Sequence, residues 1–92
     1  MAQRHKSAIK RHRQSLIRAT RNRVIRTQVR HAVRTLRETI GRGESANAQT
    51  LLPQVSKTID RAVTKGVLHR NAASRHISRL SRQVALLTSS AS

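Results

Sequence analysis

Lysine and arginine dominate the first 43 residues, and these side chains are the ones that neutralise phosphate. The segment holds 13 of them and a single acid, Glu38. Charged helix faces usually alternate in sign, because i,i+4 ion pairs then stabilise the helix. Here the signs do not alternate, and like-charged neighbours such as Arg26 and Arg30 repel each other. The pattern favours a polyanionic partner over an ordinary solvated surface.

These basic residues lie on one long predicted helix. No glycine or proline occurs between Ala2 and Ile40, and Gly41-Arg42-Gly43 supplies the positive-φ positions that close a helix. At about 1.5 Å per residue the helix is roughly 58 Å long. Its C-terminal half carries an apolar stripe and, roughly 100° around the axis, an arginine stripe. The apolar stripe comprises Ile25, Val29, Ala32, Val33, Leu36 and Ile40, and the basic one Arg23, Arg26, Arg30, Arg34 and Arg37.

The N-terminal half of this helix lacks an apolar side that continues the stripe. The core-facing positions end near Ile25, and basic residues upstream are spread around the axis with no acid among them: Arg4, Lys6, Lys10, Arg11, Arg13, Arg18 and Arg21. We therefore expect this half to project as an arm that a polyanion surrounds. Since the isolated arm repels itself, we also expect it to become ordered on contact with its partner.

Two further helices complete the predicted fold, which gives a long helix at 3–40, a second at 45–65 and a third at 71–87. The second has an apolar seam of Ala48, Leu52, Val55, Ile59, Ala62 and Val63, and the third one of Ala73, Ile77, Leu80, Val84 and Leu87. Glu44, Ser45 and Asn47 can cap the second helix and Asn71 the third. The small polar residues 88–92 predict a disordered tail.

Pro53 lies within the second seam and removes one backbone hydrogen bond from a helix there. Either the regular helix begins near Thr50, which puts the proline in its first turn, or the helix continues through it with a local distortion. We favour the continuous helix.

Three seams with short connections predict an all-α fold: a single domain, residues 1–92, built as an up-down-up three-helix bundle. The second and third helices are each about 30 Å long, so they can cover only the C-terminal half of the first. The long N-terminal helix is therefore expected to project beyond the bundle.

Composition narrows the function classes. A net charge of +17 at a pI near 12.0 indicates a nucleic acid or an anionic membrane as partner. Sixteen of the twenty basic residues are arginine, which either phosphate recognition or a GC-rich genome would explain. The sequence has no cysteine, no secretory signal and no membrane-spanning run, so we expect a soluble cytoplasmic protein. With no aromatic residue, base stacking cannot be its main binding device.

The sequence gives little support for an active site or a metal site. Three acids and a thin bundle offer neither an acid/base pair nor a pocket, and no glycine-rich phosphate loop is present. We expect no enzyme activity, no cofactor and no small-molecule substrate. His5 and His12, like His69 and His76, are seven residues apart, too far to share one ion. We expect no metal site, and these histidines are better interpreted as neutral donors or plain surface residues.

The most distinctive string runs from Lys65 to Leu80 and reads KGVLHRNAASRHISRL. It predicts a tight turn that leads into a helix N-terminus, with basic residues and an amide around free backbone N–H groups. Such an arrangement suits a phosphate, and it equally suits ordinary capping by Asn71.

This string resembles the signature of the bacterial small-subunit ribosomal protein S-twenty family, as do Lys6-Ser7-Ala8, Lys10-Arg11 and Asn22 near the start. The resemblance covers residues 6 to about 87. It implies a ribosome-bound, three-helix protein of the cytoplasm that binds 16S ribosomal RNA in the small ribosomal subunit and helps assemble it. By analogy the RNA contacts are Lys6, Ser7, Lys10, Arg11, Asn22, Arg26, Arg30, His69, Arg70, Asn71 and Arg75.

The chain departs from the family pattern at several positions. Ala72 stands where the family commonly has lysine, and Ser74 where it has alanine. Leu16 and Ile17 stand where it tends to be charged, which points to some apolar packing in the arm, and Pro53 is not expected from the pattern.

Charge and resemblance together define the predicted RNA-contact set. It comprises Arg4, Lys6, Ser7, Lys10, Arg11, Arg13, Arg18, Arg21, Asn22, Arg23, Arg26, Arg30, Arg34, Lys65, His69, Arg70, Asn71, Arg75 and Arg79.

The alternative function is an architectural protein of double-stranded DNA, and the absence of a helix-turn-helix pattern argues against it. A membrane-active helix is disfavoured because Arg4, Arg11 and Arg18 occupy the side of the arm that should be apolar. We expect no membrane partner and no homo-oligomer.

Overall fold

Three helices make up the chain in a computed structural model that describes the backbone of residues 2–91 and the side chains of residues 6–89. They are α1 (Ala2–Gly41), α2 (Ser45–Thr64) and α3 (Arg70–Ala91). Short turns at 42–44 and 65–69 reverse the chain twice. Helix α2 packs against both neighbours, whereas α1 and α3 contact each other less. The predicted all-α, up-down-up architecture is confirmed.

Helix α1 is much longer than the two helices that cover it. It has 40 residues, against 20 in α2 and 22 in α3, and the molecule measures 71 × 21 × 14 Å. Every described side chain from Lys6 to Arg21 is exposed, and the first buried side chain along α1 is Ile25. The predicted projection of the N-terminal half is confirmed, and we call residues 2–24 the arm.

The bundle core is thin and entirely aliphatic. Leu36, Ile59 and Leu80, one from each helix, are its largest fully buried side chains. The predicted seams supply the remainder of the buried cluster: Val33, Ala48, Val55, Ala73 and Val84. Thr39 is the one buried polar residue among those described, and its hydroxyl donates to the Thr35 carbonyl at 2.9 Å. Side-chain patterning therefore suffices to fix which face of each helix is buried.

Both interhelix turns have the hydrogen bonds of a Schellman motif. After α1, the Glu44 N–H donates to the Thr39 carbonyl at 3.2 Å and the Gly43 N–H to the Ile40 carbonyl at 3.0 Å. The same pair of bonds follows α2, centred on Gly66. Gly43 and Gly66 have φ of 73° and 74°, the left-handed values that this motif requires.

Helix α2 runs without a break from Ser45 to Thr64 and contains Pro53. The continuous helix is therefore observed, and the alternative start near Thr50 is wrong. Pro53 is exposed, so the Gln49 carbonyl that lacks its usual donor lies on the solvent side of the bundle.

The predicted capping of α2 differs from the structure. Glu44 occupies the N-cap position but makes no side-chain cap hydrogen bond. Its carboxylate pairs instead with the Arg42 guanidinium at 3.3 Å. The competing ion pair across the turn explains why the side chain does not fold back onto the helix.

Helix α3 extends beyond the predicted end at residue 87. Residues 88–91, assigned from sequence to a disordered tail, are helical, while Ser92 lies outside the described residues. The Thr88 hydroxyl donates to the Val84 carbonyl at 2.9 Å and accepts the Gln49 side-chain amide at 2.8 Å. The bond from Gln49 attaches the last turn of α3 to the beginning of α2, a tertiary contact that composition does not reveal.

The turn glycines give a matched pair of stability tests. Gly66→Ala should lower the free energy of unfolding by about 1–2 kcal/mol, because alanine is strained at a left-handed φ. A Cβ there would meet nothing within 4 Å, so no clash adds to this strain. Gly41→Ala, at a helical position with equally open space, should be neutral or stabilising by up to about 1 kcal/mol. Urea unfolding followed by circular dichroism measures both; equal effects would contradict the assignment.

Candidate nucleic-acid interface

The arginine stripe of α1 faces solvent beside the bundle. Arg23, Arg26 and Arg30 are exposed and make no ion pair among the described side chains. Arg34 is also exposed and lies 3.3 Å from the Glu38 carboxylate. Exposed pairs of this kind contribute little to stability, so Arg34 can exchange its partner at small cost. The stripe thus presents a row of guanidinium groups available to an external anion.

The basic residues of the arm lie beyond the bundle. Six of the seven predicted there have exposed side chains: Lys6, Lys10, Arg11, Arg13, Arg18 and Arg21. Arg4 lies outside the described side chains. Ser7 is exposed and Asn22 is half-buried at the junction with the bundle. The fold does not bring these residues against any other predicted contact, so the arm is a separate part of the candidate surface.

A groove between α1, α3 and the 65–69 turn brings parts of the predicted set together. Arg26 and Arg30 line one part of it with His76, and Arg30, Arg34 and Arg37 line the adjoining part with the same histidine. The apolar floor comprises Val29, Val33, Ala62, Val67 and Leu68. No acidic side chain lines either part. The weaker contact between α1 and α3 leaves this groove open, and its rim suits a phosphate backbone.

The N-terminus of α3 is capped by His69, so the predicted cap at Asn71 is wrong. The Asn71 backbone N–H donates to His69 Nδ1 at 3.1 Å, and the Ala73 N–H donates to the His69 carbonyl at 3.0 Å. Helix α3 begins at Arg70, one residue before the predicted start, and its cap lies two residues before the predicted one. An imidazole that accepts at Nδ1 carries its proton on Nε2, which leaves that N–H available as a donor.

The remaining predicted residues surround this helix start. Lys65 and Arg70 are exposed on either side of the cap, and Arg75 and Arg79 are exposed further along α3. None of these four makes an ion pair among the described side chains. They extend the positive surface away from the groove, and they do not line it.

Two groove residues were absent from the predicted set. Arg37 belongs to the same stripe as Arg34, so the stripe alone could have included it. His76 is half-buried and lines both parts of the groove. Only the packing of α3 beside α1 shows that this histidine faces the arginines.

Two features are absent from the described part of the chain. No group of three His, Cys, Asp or Glu side chains there could hold a metal ion. Within the same residues, no helix has an apolar stretch long enough to cross a bilayer.

Comparison with known proteins gives a consistent result. A family model described as ribosomal protein S20 matches residues 3–85. The chain belongs to the ribosomal protein S20 family. A small ribosomal subunit protein bS20 from Anaeromyxobacter dehalogenans is 53% identical over 79 residues, which is 86% of each chain. The bS20 proteins of Solidesulfovibrio magneticus and Nitratidesulfovibrio vulgaris are 46% and 45% identical over 80 residues, covering 87% of this chain and 90% and 92% of theirs.

Membership of the ribosomal protein S20 family confirms the resemblance noted in the sequence. The match extends through the arm, the groove and the start of α3, so all three parts of the candidate surface lie within the family region. Because the family consists of ribosomal structural proteins, this chain is not an enzyme.

The His69 cap predicts that removing its imidazole destabilises the protein. His69→Ala should lower the free energy of unfolding by about 0.5–1 kcal/mol, because an N–H in the first turn of α3 loses its acceptor. His69→Ser restores a capping oxygen and should recover most of this loss. Thermal unfolding of the three proteins measures the effect. Equal stability of the alanine variant and the unmodified chain would contradict the cap.

Proposed function

We propose that this chain is a structural constituent of the small ribosomal subunit that binds 16S ribosomal RNA directly and supports subunit assembly. The observation that carries the proposal is the arm, a helix of predominantly like charge whose described side chains from Lys6 to Arg21 are all exposed. A helix with no protein neighbour and no compensating acids needs counter-charge on several sides. Folded RNA supplies phosphates in that arrangement.

The relatives support the same function. Each of the three compared above carries the name small ribosomal subunit protein, and this chain covers at least 86% of their length. A small-subunit protein works in the cytoplasm as part of the ribosome, where ribosomal RNA is its natural polyanion. The proposed partner is therefore ribosomal RNA, and the chain needs no second copy of itself to bind it.

The proposed contacts fall into three groups that one rigid molecule can present together. The arm contributes Arg4, Lys6, Ser7, Lys10, Arg11, Arg13, Arg18, Arg21 and Asn22. The arginine stripe contributes Arg23, Arg26, Arg30 and Arg34, to which the groove adds Arg37 and His76. The start of α3 contributes Lys65, His69, Arg70, Asn71, Arg75 and Arg79.

The mechanism is multivalent neutralisation of phosphate. The bundle fixes the groove and the start of α3 beside one end of α1, and the helix carries the arm away from them as a rod. At about 1.5 Å per residue the arm is roughly 35 Å long, enough to reach RNA segments distant from the bundle. RNA elements that contact both ends of α1 would be held at a fixed separation, which is how such a protein assists assembly.

Salt dependence tests the proposed contacts. Replacing Arg11, Arg26 and Arg30 by Gln should weaken binding to 16S ribosomal RNA. It should also make the slope of log affinity against log salt concentration less steep by roughly 2–3, because each phosphate contact contributes about 0.7–0.9 to that slope. The bundle should remain folded, since all three side chains are exposed. Filter binding across a salt series measures the slope, and circular dichroism checks the fold.

A matched variant separates specific contacts from total charge. Lys57, Arg61 and Arg82 are exposed and lie outside the proposed contacts. Replacing these three by Gln removes the same charge and should leave the slope nearly unchanged. An equal loss of slope in both variants would show diffuse attraction and overturn the contact assignment.

Competition distinguishes RNA from DNA as the partner. At equal phosphate concentration, 16S ribosomal RNA should displace the chain from duplex DNA, whereas duplex DNA should compete poorly for the chain bound to RNA. Fluorescence anisotropy of labelled RNA measures the displacement. Equal competition by both would favour the architectural DNA-binding alternative.

A further inference from the structure

The arm carries a second apolar stripe that the bundle does not use. Ile9, Leu16, Ile17 and Val24 are 49%, 55%, 52% and 51% exposed, which makes them four of the five large hydrophobic residues exposed in the described part of the chain. When positions are projected at about 100° per residue, the four residues fall within one sector of the helix that is about 100° wide. Their centre lies roughly 150° from the core-facing stripe of α1, so this stripe faces away from the bundle.

Two threonines extend the stripe toward the bundle. The Thr20 hydroxyl donates to the Leu16 carbonyl and the Thr27 hydroxyl to the Arg23 carbonyl, each at 2.9 Å. Since both hydroxyls bond to their own helix, these residues present their methyl groups outward. Ile9, Leu16, Thr20, Val24 and Thr27 are spaced by seven, four, four and three residues, which keeps them on one side of the helix. Two basic residues project into the same sector, Lys6 upstream of Ile9 and Arg13 within the stripe.

Basic side chains flank the stripe. Lys10 and Arg21 lie along one edge and Arg23 and Arg30 along the other, when positions are projected at about 100° per residue. All four are exposed, and none makes an ion pair among the described side chains. A partner that covers the apolar stripe must therefore be apolar in the middle and negative on both sides.

We propose that the arm lies along the minor groove of an RNA duplex, with its apolar stripe against the riboses and its basic edges toward the two phosphate backbones. This inference rests on the proposed RNA-binding function. The minor groove of A-form RNA is wide and shallow and displays riboses with their 2′-hydroxyls. A helix about 10–12 Å across fits such a surface, whereas the minor groove of B-DNA is only about 6 Å wide.

Charge argues against a second copy of the chain and against a bilayer as the partner that covers the stripe. A second copy of the arm would bring two strongly basic helices together along their apolar stripes. An anionic bilayer would need a continuous apolar face, and Arg13 interrupts this one. A duplex RNA satisfies both the apolar middle and the basic edges.

The stripe adds a component of binding that salt does not screen. Burial of apolar surface depends weakly on ionic strength, while phosphate contacts release counterions. Replacing apolar residues of the stripe by polar ones should therefore lower the RNA affinity by the same factor at every salt concentration. Arginine substitutions change the slope instead.

The test uses the full chain and an RNA duplex long enough to span the arm, with a DNA duplex of the same sequence for comparison. Ile9, Leu16 and Ile17 are replaced together by Gln. We expect RNA affinity to fall at least about tenfold with an unchanged salt slope, because the apolar contact is lost and no charge is altered. Affinity for the DNA duplex should change less than about twofold.

The matched control replaces Ala8, Ser15 and Ala19 by Gln. These residues are exposed on the arm but lie off the stripe. The control should change RNA affinity less than about twofold. Equal losses in both triple variants, or equal losses on RNA and DNA, would overturn the proposed placement in the minor groove.

Other outcomes identify a different occupant. Dimerisation in sedimentation equilibrium that the stripe variant abolishes would assign the stripe to a second copy, and stripe-dependent binding to anionic vesicles would assign it to a membrane; either result overturns the inference. If the unmodified chain binds RNA with a steep salt slope and the stripe variant binds equally well, the inference alone fails. If the unmodified chain does not bind RNA, the proposed function fails with it.

Discussion

The end of the core-facing stripe at Ile25 is the constraint on which the molecule depends. Downstream of this residue, α1 buries one face against α2 and α3; upstream, every described side chain to Lys6 except the half-buried Asn22 is exposed. An amphipathic helix gains most of its stability in proteins from packing, and the arm has none. Its like charges add repulsion that only an external anion removes. The part of the helix that contributes least to the bundle is therefore the part most committed to a partner.

The bundle places positive groups at fixed positions. Its aliphatic core needs only to hold three helices in register, and the two Schellman turns end α1 and α2 at defined residues. This register sets His76 of α3 beside the arginines of α1 and forms the groove between them. It also exposes the His69 cap at the start of α3. A small core can therefore support an extended binding surface, because most of that surface lies on a single helix.

The two faces of the arm suggest two complementary kinds of contact. In the proposed complex, basic residues distributed around the axis attract RNA over a distance, and this attraction depends on salt. In the same proposed complex the apolar stripe acts only at contact, where it favours a surface of riboses over bare phosphate. Family membership establishes the general setting, and the exposed residues Ile9, Leu16, Ile17 and Val24 form the apolar stripe of this chain. Electrostatic attraction and shape recognition are thereby separated on one helix.

The sequence by itself determined the three helices, their apolar seams and the projecting arm, because hydrophobic periodicity, turn glycines and charge are local properties that one-dimensional spacing expresses. Tertiary structure decided the rest. The last turn of α3 is bonded to α2 through Thr88 and Gln49, the Glu44 side chain pairs with Arg42 and not with the start of α2, and His69 rather than Asn71 caps α3. His76 joins the groove only because α3 packs beside α1. The Gln49–Thr88 contact and the approach of His76 to the arginines join groups far apart in the chain, about which sequence spacing carries no information. The Arg42–Glu44 and His69–Asn71 pairs are two residues apart, and there the backbone conformation of the turn decides which neighbour is contacted.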